Sequence, residues 1–470
     1  MHTVKIPIRT KTLFGLGTAA ENICLYSFSF LVMLYYNQVL GLPATLAGLG
    51  PTIALIVDAV TDPLVGSWSD RLRNKKWGRR HPFMLTAPIP AALSFYMIFS
   101  PPAGLETTEL FLWLICFSVL LHLFMTLFFV PHLAFGGEMS KDYHERSTIM
   151  SYNNFGGYIG AASAHWFGLT FFFYATAEQA NGLLKLEAYQ DFGLVASVVV
   201  VICLYISAWF TRDRIPTLSQ PAESTEPFSM PALFTDLKQA LQNPNYMYLL
   251  LGLLLLSVTI GMRASFNNYM NLYFWELVSD QIRWFIIGSV SGYIAGFLLT
   301  FYIHKRFDKR ASIVIATLGY GVFDALPVCL RMLGLFPENG SDKLFPSILV
   351  CHALGSASLS VLNISVMSAL ADIADENAAK FGVRQEGILY AARAFFAKAD
   401  RAIGTLIAGI VLDLISFPAK AIPGQVDANV VMWLGIMDSP ATIIPALLAA
   451  LLYSGYRINH GKHKAFTLTK

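Results

Sequence analysis

Leu55-Ile56-Val57-Asp58-Ala59-Val60-Thr61-Asp62-Pro63-Leu64-Val65-Gly66-Ser67-Trp68-Ser69-Asp70-Arg71 runs directly into Leu72-Arg73-Asn74-Lys75-Lys76-Trp77-Gly78-Arg79-Arg80. The first stretch closes an apolar window covering 44–69, and about 20 apolar residues are enough to cross a bilayer. The second is a short basic loop. A crossing that ends on clustered bases and carries two aspartates in its interior belongs to a membrane protein with something to do at mid-bilayer, because a carboxylate there costs about 2.5–3.5 kcal/mol on insertion scales.

The same alternation of long apolar window and short loop recurs along all 470 residues. Windows of spanning length lie near 13–37, 44–69, 83–100, 108–135, 150–176, 191–211, 246–277, 282–304, 311–332, 344–370, 388–415 and 430–456. Hydrophobic residues make up 55% and charged residues 13%, too few charges to cover a water-soluble globule of this size. The reading is therefore an all-α polytopic membrane protein of twelve transmembrane helices. Sorting the 33 Lys and Arg by loop puts 24 on the side of the termini, 5 on the opposite side and four inside windows. By the positive-inside rule both termini are cytoplasmic.

A proline-rich polar connection, 212–245, separates residues 1–211 from 246–470 and gives two six-helix halves. The halves echo each other. Lys305-Arg306-Phe307-Asp308-Lys309-Arg310 stands where the first basic loop stood, and Gly137 to Arg146 is matched by Ala371-Asp372-Ile373-Ala374-Asp375 with Arg384-Gln385-Glu386-Gly387. Two repeated halves around a central site suit a secondary transporter that works by alternating access. On this reading Asp70, Arg71, Arg79, Arg80, Glu138, Asp142 and Arg146, with Asp372, Arg384 and Glu386, form ion pairs between the halves and so a cytoplasmic gate.

Asp58 and Asp62 are four residues apart and share a helix face. Two carboxylates that close in a low dielectric do not both ionise cheaply; one takes a proton, or a cation sits between them. The pair reads as a proton or sodium site, against the plainer alternative that it pairs with bases such as Lys398 and Arg401. Arg263, followed by Ser265, Asn267 and Asn268, either lines the cavity or bonds neighbouring helices. Glu21 and Asn22 fall at matching depth, and one of them should face the cavity. Asp324 and Asp438 read as acids spent on helix packing or water contact, and His122 and His132 as satisfied core histidines. The five cysteines read as buried thiols. No metal-ligand spacing or nucleophile constellation is present, so neither an enzyme nor a cofactor is expected, and nothing points to nucleic acid.

These residues together resemble the glycoside/pentoside/hexuronide:cation symporter family of the major facilitator superfamily, the melibiose-permease-like proteins. The stretch from Asp58 to Arg71 with its basic loop is similar to that family's span 2 signature, and Ala371 to Asp375 with Gln385-Glu386-Gly387 and Lys398 to its span 10–11 signature. The resemblance implies the major facilitator fold and a cation site of Asp58, Thr61, Asp62 and Thr126, with Lys398 linking it to the solute. The family's sugar-binding acids and arginine fall on Asn22, Phe129 and Asn154, so the carboxylates that grip a galactoside are missing. With Arg263, Asn267, Lys398 and Arg401 as remaining cavity candidates, charge complementarity favours an anionic solute such as a uronide. The family also implies a cation-coupled lysolipid carrier as the alternative, a monomeric transport unit, and a place in a bacterial inner membrane.

Overall fold

The computed structural model describes residues 5–72, 74, 76–140, 142–176, 179–217, 241–381, 389 and 402–458. Every regular element among them is helical. The chain forms two compact units, Met1–Phe228 and Ser229–Lys470.

In the first unit α1 covers Ile8–Leu34, α2 Ala44–Arg71, α3 His81–Thr86, α4 Pro88–Phe99, α5 Thr107–Glu138, α6 Tyr143–Phe167 and α7 Leu186–Phe210. Their ends follow from local chemistry. Glu106 and Glu109 form a capping box that opens α5, and Asp142 opens α6 by accepting the Glu145 N–H at 2.8 Å. Pro88 parts α3 from α4, since a proline supplies no N–H to the helical ladder. In the second unit α8 covers Pro244–Tyr269, α9 Phe285–Arg306, α10 Lys309–Met332, α11 Leu344–Phe381, α12 Ala402–Leu414, α13 Ala428–Asp438 and α14 Pro440–Ser454.

Nine helical segments among the described residues are long and apolar enough to cross a membrane. The other three expected crossings fall on the α3–α4 pair, which is broken at Pro88, on the polar α6, and on α12, which begins at the edge of the described residues. The helices also outrun the apolar windows. α11 continues to Phe381, so Ala371 to Asp375, expected as a loop, is helical; Gly137 and Glu138 close α5.

Small residues set the closest packing, as they do where lipid tails leave little hydrophobic drive between helices. A Cβ added at Gly156 or Gly160 of α6 would lie 2.1 Å from the carbonyl oxygen of Gly15 or Ala19 in α1. In the second unit, a Cβ at Gly404 of α12 would lie 2.1 Å from the backbone of Gly261 in α8. Around these seams each unit has its own apolar packing: Phe14, Phe135, Met139 and Ile149 in the first, and Tyr246, Leu253, Ile313, Val366 and Tyr453 in the second.

The repeat is visible in backbone detail. α1 ends in a π-helical turn, Tyr35–Val39, and α8 in another, Met270–Phe274. Leu40 N–H donates to Tyr35 O and Leu42 N–H to Tyr36 O; Trp275 N–H donates to Met270 O and Leu277 N–H to Asn271 O. The residue between each pair of donors has positive φ, 91° at Gly41 and 52° at Glu276.

Candidate functional site

Proline punctuates both helices that build the site. α2 contains Pro51 and Pro63, and α5 contains Pro131. α2 carries Asp58 and Asp62 one turn apart. α5 carries His122 and Thr126 at the same spacing, and the two pairs meet. The Thr126 hydroxyl lies 2.9 Å from Asp58 Oδ1 and 2.9 Å from Asp62 Oδ1. His122 Nδ1 lies 3.1 Å from Asp58 Oδ2. Asp58, Thr126 and His122 are buried, and Asp62 is half-buried. Thr61 turns away from this cluster: its hydroxyl donates to the carbonyl oxygen of Asp58 at 3.4 Å, a long contact along its own helix.

Of the four residues expected at a cation site, the structure therefore brings three together and adds His122. His122, expected to be a satisfied core histidine, is buried and finds its partner in Asp58. The α1 side chain against it is Phe28, edge-on at 5.2 Å between ring centroids. A signal for it was present in the sequence. His122 stands one turn before Thr126, so any helix face that presents the threonine to the aspartates presents the histidine too. His132 is the core residue it was expected to be, stacked on Phe14 and bonded to the Phe14 carbonyl at 3.0 Å.

The positions expected to touch solute in the first unit lie on α1, α5 and α6. The Asn22 amide donates to the Thr18 carbonyl of its own helix at 3.0 Å. Thr18 bonds the neighbouring Asn153, while Asn154 is exposed and Phe129 half-buried. Glu21 is buried.

In the second unit, Arg263 of α8 lies 3.1 Å from Asp324 of α10 and 3.4 Å from Asp438 of α13. The two acids read as unrelated packing groups in the sequence thus converge on one guanidinium. Arg263 already has two carboxylates, which removes it as a cation reserved for an anionic solute. Ser265 donates to the Thr405 hydroxyl at 2.9 Å, joining α8 to α12, and Asn267 is half-buried. Lys398, Arg401, Arg384 and Glu386 lie outside the described residues.

Several of the expected gate residues are ion-paired inside their own units. Arg79 and Arg80 both reach Glu138 at 2.8 Å, and Arg80 also meets Asp70 and Ser69. Asp372 takes Lys309 on both carboxylate oxygens at 2.7 Å and accepts from Tyr456. Each of these pairs lies within one unit. Arg71 is exposed, Asp142 is spent as the α6 cap, and Arg146 donates to the Ser140 carbonyl. Near them Lys11 bonds Glu145 at 2.7 Å and holds its carboxyl below the usual carboxylate range. Cysteine burial is also less than expected: Cys24 is buried, Cys116 is exposed and the other three lie between, all as free thiols.

The family model described as MFS/sugar transport protein matches residues 13–460. The chain belongs to that family. This MFS/sugar transport protein is an integral membrane transporter and not an enzyme. It is 24% identical over 461 residues to the inner membrane symporter YicJ of Escherichia coli (strain K12), covering 97% of this chain and 93% of that one. It is 22% identical over 425 residues to the isoprimeverose transporter of Lactiplantibacillus pentosus, covering 89% of this chain and 83% of that one. Among solved structures, the nucleoside transporter NupG matches with a TM-score of 0.64 at 12% identity, over 95% of this chain and 99% of that one. That likeness supports the helical major facilitator fold. The family match agrees with the symporter resemblance drawn from the Asp58–Arg71 signature.

Proposed function

We propose that this transporter couples the movement of a cation to import of a glycoside, pentoside or hexuronide-like solute, and that Asp58, Asp62 and Thr126 hold the cation. One observation carries the reading: two acids at mid-helix share a single buried hydroxyl. Such a cluster is expensive to keep in a membrane and is retained where ions pass. The names of the similar proteins, a symporter and an isoprimeverose transporter, support a sugar-like solute. The case for a uronide loses Arg263 and rests on Lys398 and Arg401. We place the protein in a bacterial inner membrane with both termini cytoplasmic and each chain its own transport unit. The cation binds from outside, favours the solute through the coupled site, and both leave when the halves exchange access.

Uptake into proteoliposomes tests this, with imposed sodium and proton gradients and a panel of isoprimeverose, other glycosides, uronides and a lysolipid. The expected outcome is gradient-driven accumulation of a sugar-like solute that Asp62→Asn abolishes in a folded protein. Accumulation that survives Asp62→Asn overturns the site; accumulation of the lysolipid alone overturns the solute class.

A further inference from the structure

Several bases at the polar ends of the first unit's helices are spent on carboxylates: Lys11 on Glu145, Arg79 and Arg80 on Glu138. Lys76, Arg212 and Arg9 are not. Each is exposed, has no carboxylate partner among the described residues, and lies over an aromatic ring instead. Lys76 Nζ stands 5.8 Å from the centre of the Trp77 ring, the Arg212 guanidinium carbon 3.8 Å from that of Trp209, and the Arg9 guanidinium carbon 5.6 Å from that of Phe210. Trp77 and Trp209 are themselves neighbours, 6.0 Å between ring centroids. Lys76, Trp77, Trp209 and Arg212 therefore form one continuous patch at the end of α7.

Local chemistry shapes the patch. The Asn74 side-chain oxygen accepts from the N–H groups of Lys76 and Trp77, both at 3.0 Å, a turn that asparagine makes readily. Gly78 follows with φ 64°, and a Cβ there would lie 3.0 Å from Ile215. The loop after α2 thus packs closely on the turn after α7. Asp213, next in sequence to Arg212, faces Arg214 at 3.5 Å. A ring that meets a guanidinium by its face leaves the planar N–H fork open for another partner, and that fork matches a phosphate.

An apolar strip leads into the patch. Val195, Val198, Ile202 and Trp209 recur at helical spacing on one face of α7 and are 46%, 52%, 51% and 43% exposed. At a rise of 1.5 Å per residue the strip is about 21 Å long, enough to run through the roughly 15 Å of hydrocarbon in one leaflet. A soluble phosphate would use the bases alone, and an acidic protein would find no use for a strip that runs into the bilayer. We propose that this face binds an anionic phospholipid, with an acyl chain along the strip, the two tryptophans at headgroup level and the phosphate on Lys76 and Arg212. Arg9, over Phe210, flanks the strip from the next position round α7. Bases at a membrane surface are drawn to anionic headgroups, and tryptophans settle at that depth. The site shares no residue with the Asp58, Asp62 and Thr126 cluster and does not depend on the reading given to it.

The test titrates full-length, delipidated protein in detergent with phosphatidylglycerol or phosphatidylcholine carrying brominated acyl chains, and reads tryptophan quenching. Comparison with Trp209→Phe isolates the share of Trp209. Phosphatidylglycerol is expected to quench Trp209 at lower concentration than phosphatidylcholine, whose choline neutralises the same phosphate. Lys76→Gln with Arg212→Gln should weaken phosphatidylglycerol about 25-fold, about fivefold for each base, and leave phosphatidylcholine unchanged. Lys305→Gln with Arg310→Gln, the same loss of charge in the second unit, should change neither. Glycerol phosphate, the headgroup chemistry without chains, should not displace the lipid. Equal binding of the two lipids by the wild type overturns the proposal, as does equal weakening of phosphatidylglycerol by the two double variants. Displacement by glycerol phosphate as effective as by unbrominated phosphatidylglycerol would make the patch a site for a soluble phosphate and overturn the lipid. All four substituted bases are exposed, so the fold should survive; if either double variant does not fold, the wild-type comparison of the two lipids at Trp209 decides.

Discussion

At the scale of single residues, the buried charges divide by how they are balanced. Asp58 and Asp62 share the Thr126 hydroxyl and Asp58 also meets the His122 imidazole, whereas Arg263 meets Asp324 and Asp438 directly. Breaking a buried ion pair from one side leaves an uncompensated charge and costs about 3–5 kcal/mol. Arg263→Met should therefore lower the melting temperature sharply, and adding Asp324→Asn with Asp438→Asn should restore most of the loss; if the single change is as stable as wild type, the three residues do not act as a unit. The sequence made Asp58 and Asp62 easy to find, because one helix face is readable from a four-residue spacing. It could not show the meeting of Arg263, Asp324 and Asp438, which stand on three helices far apart in the chain and are joined only by tertiary packing. His122 lies between these cases: its spacing from Thr126 was readable, but only a second helix gave that spacing a meaning.

Among the elements, apolar windows located most crossings but misjudged their ends. Bilayer hydropathy stops at the polar boundary, while hydrogen-bonded helix continues for as long as caps and tertiary partners allow. Asp142 shows the confusion at its smallest: an acid in a charged loop reads as a gate residue, yet its carboxylate closes the first turn of α6. The polar α6 is held on α1 by the absence of side chains at Gly156 and Gly160. Gly160→Leu should separate these helices, with loss of monodisperse protein in size-exclusion chromatography. Gly137→Ala, where an added Cβ meets nothing within 4 Å, should elute as wild type. Equal behaviour of the two variants would mean that the α1–α6 seam tolerates a side chain after all.

For the molecule as a whole, the uneven division of lysine and arginine among the loops is a claim about sidedness that can be checked directly. In a cysteine-free background, Lys76→Cys should react with an impermeant maleimide only from the cytoplasmic face, and Asn339→Cys only from the outer face; labelling of both from one side would refute the assigned orientation. The two-halves reading came from loop charges and window count. The structure adds that each unit repeats its own fastening, a base beside the short loop gripping an acid on a long helix: Arg79 and Arg80 on Glu138, Lys309 on Asp372. The π-helical turns at Tyr35–Val39 and Met270–Phe274 carry this further. From Tyr35 to Leu42 and from Met270 to Leu277 the two octets agree in one letter, the final leucine, yet their hydrogen bonds and their left-handed residue coincide. Glu276 even keeps a conformation that Gly41 adopts without steric cost. The kinship of the halves is thus preserved as a pattern of bonds after nearly all its spelling has changed, and symmetry in such a chain is better sought by superposing turns than by aligning residues.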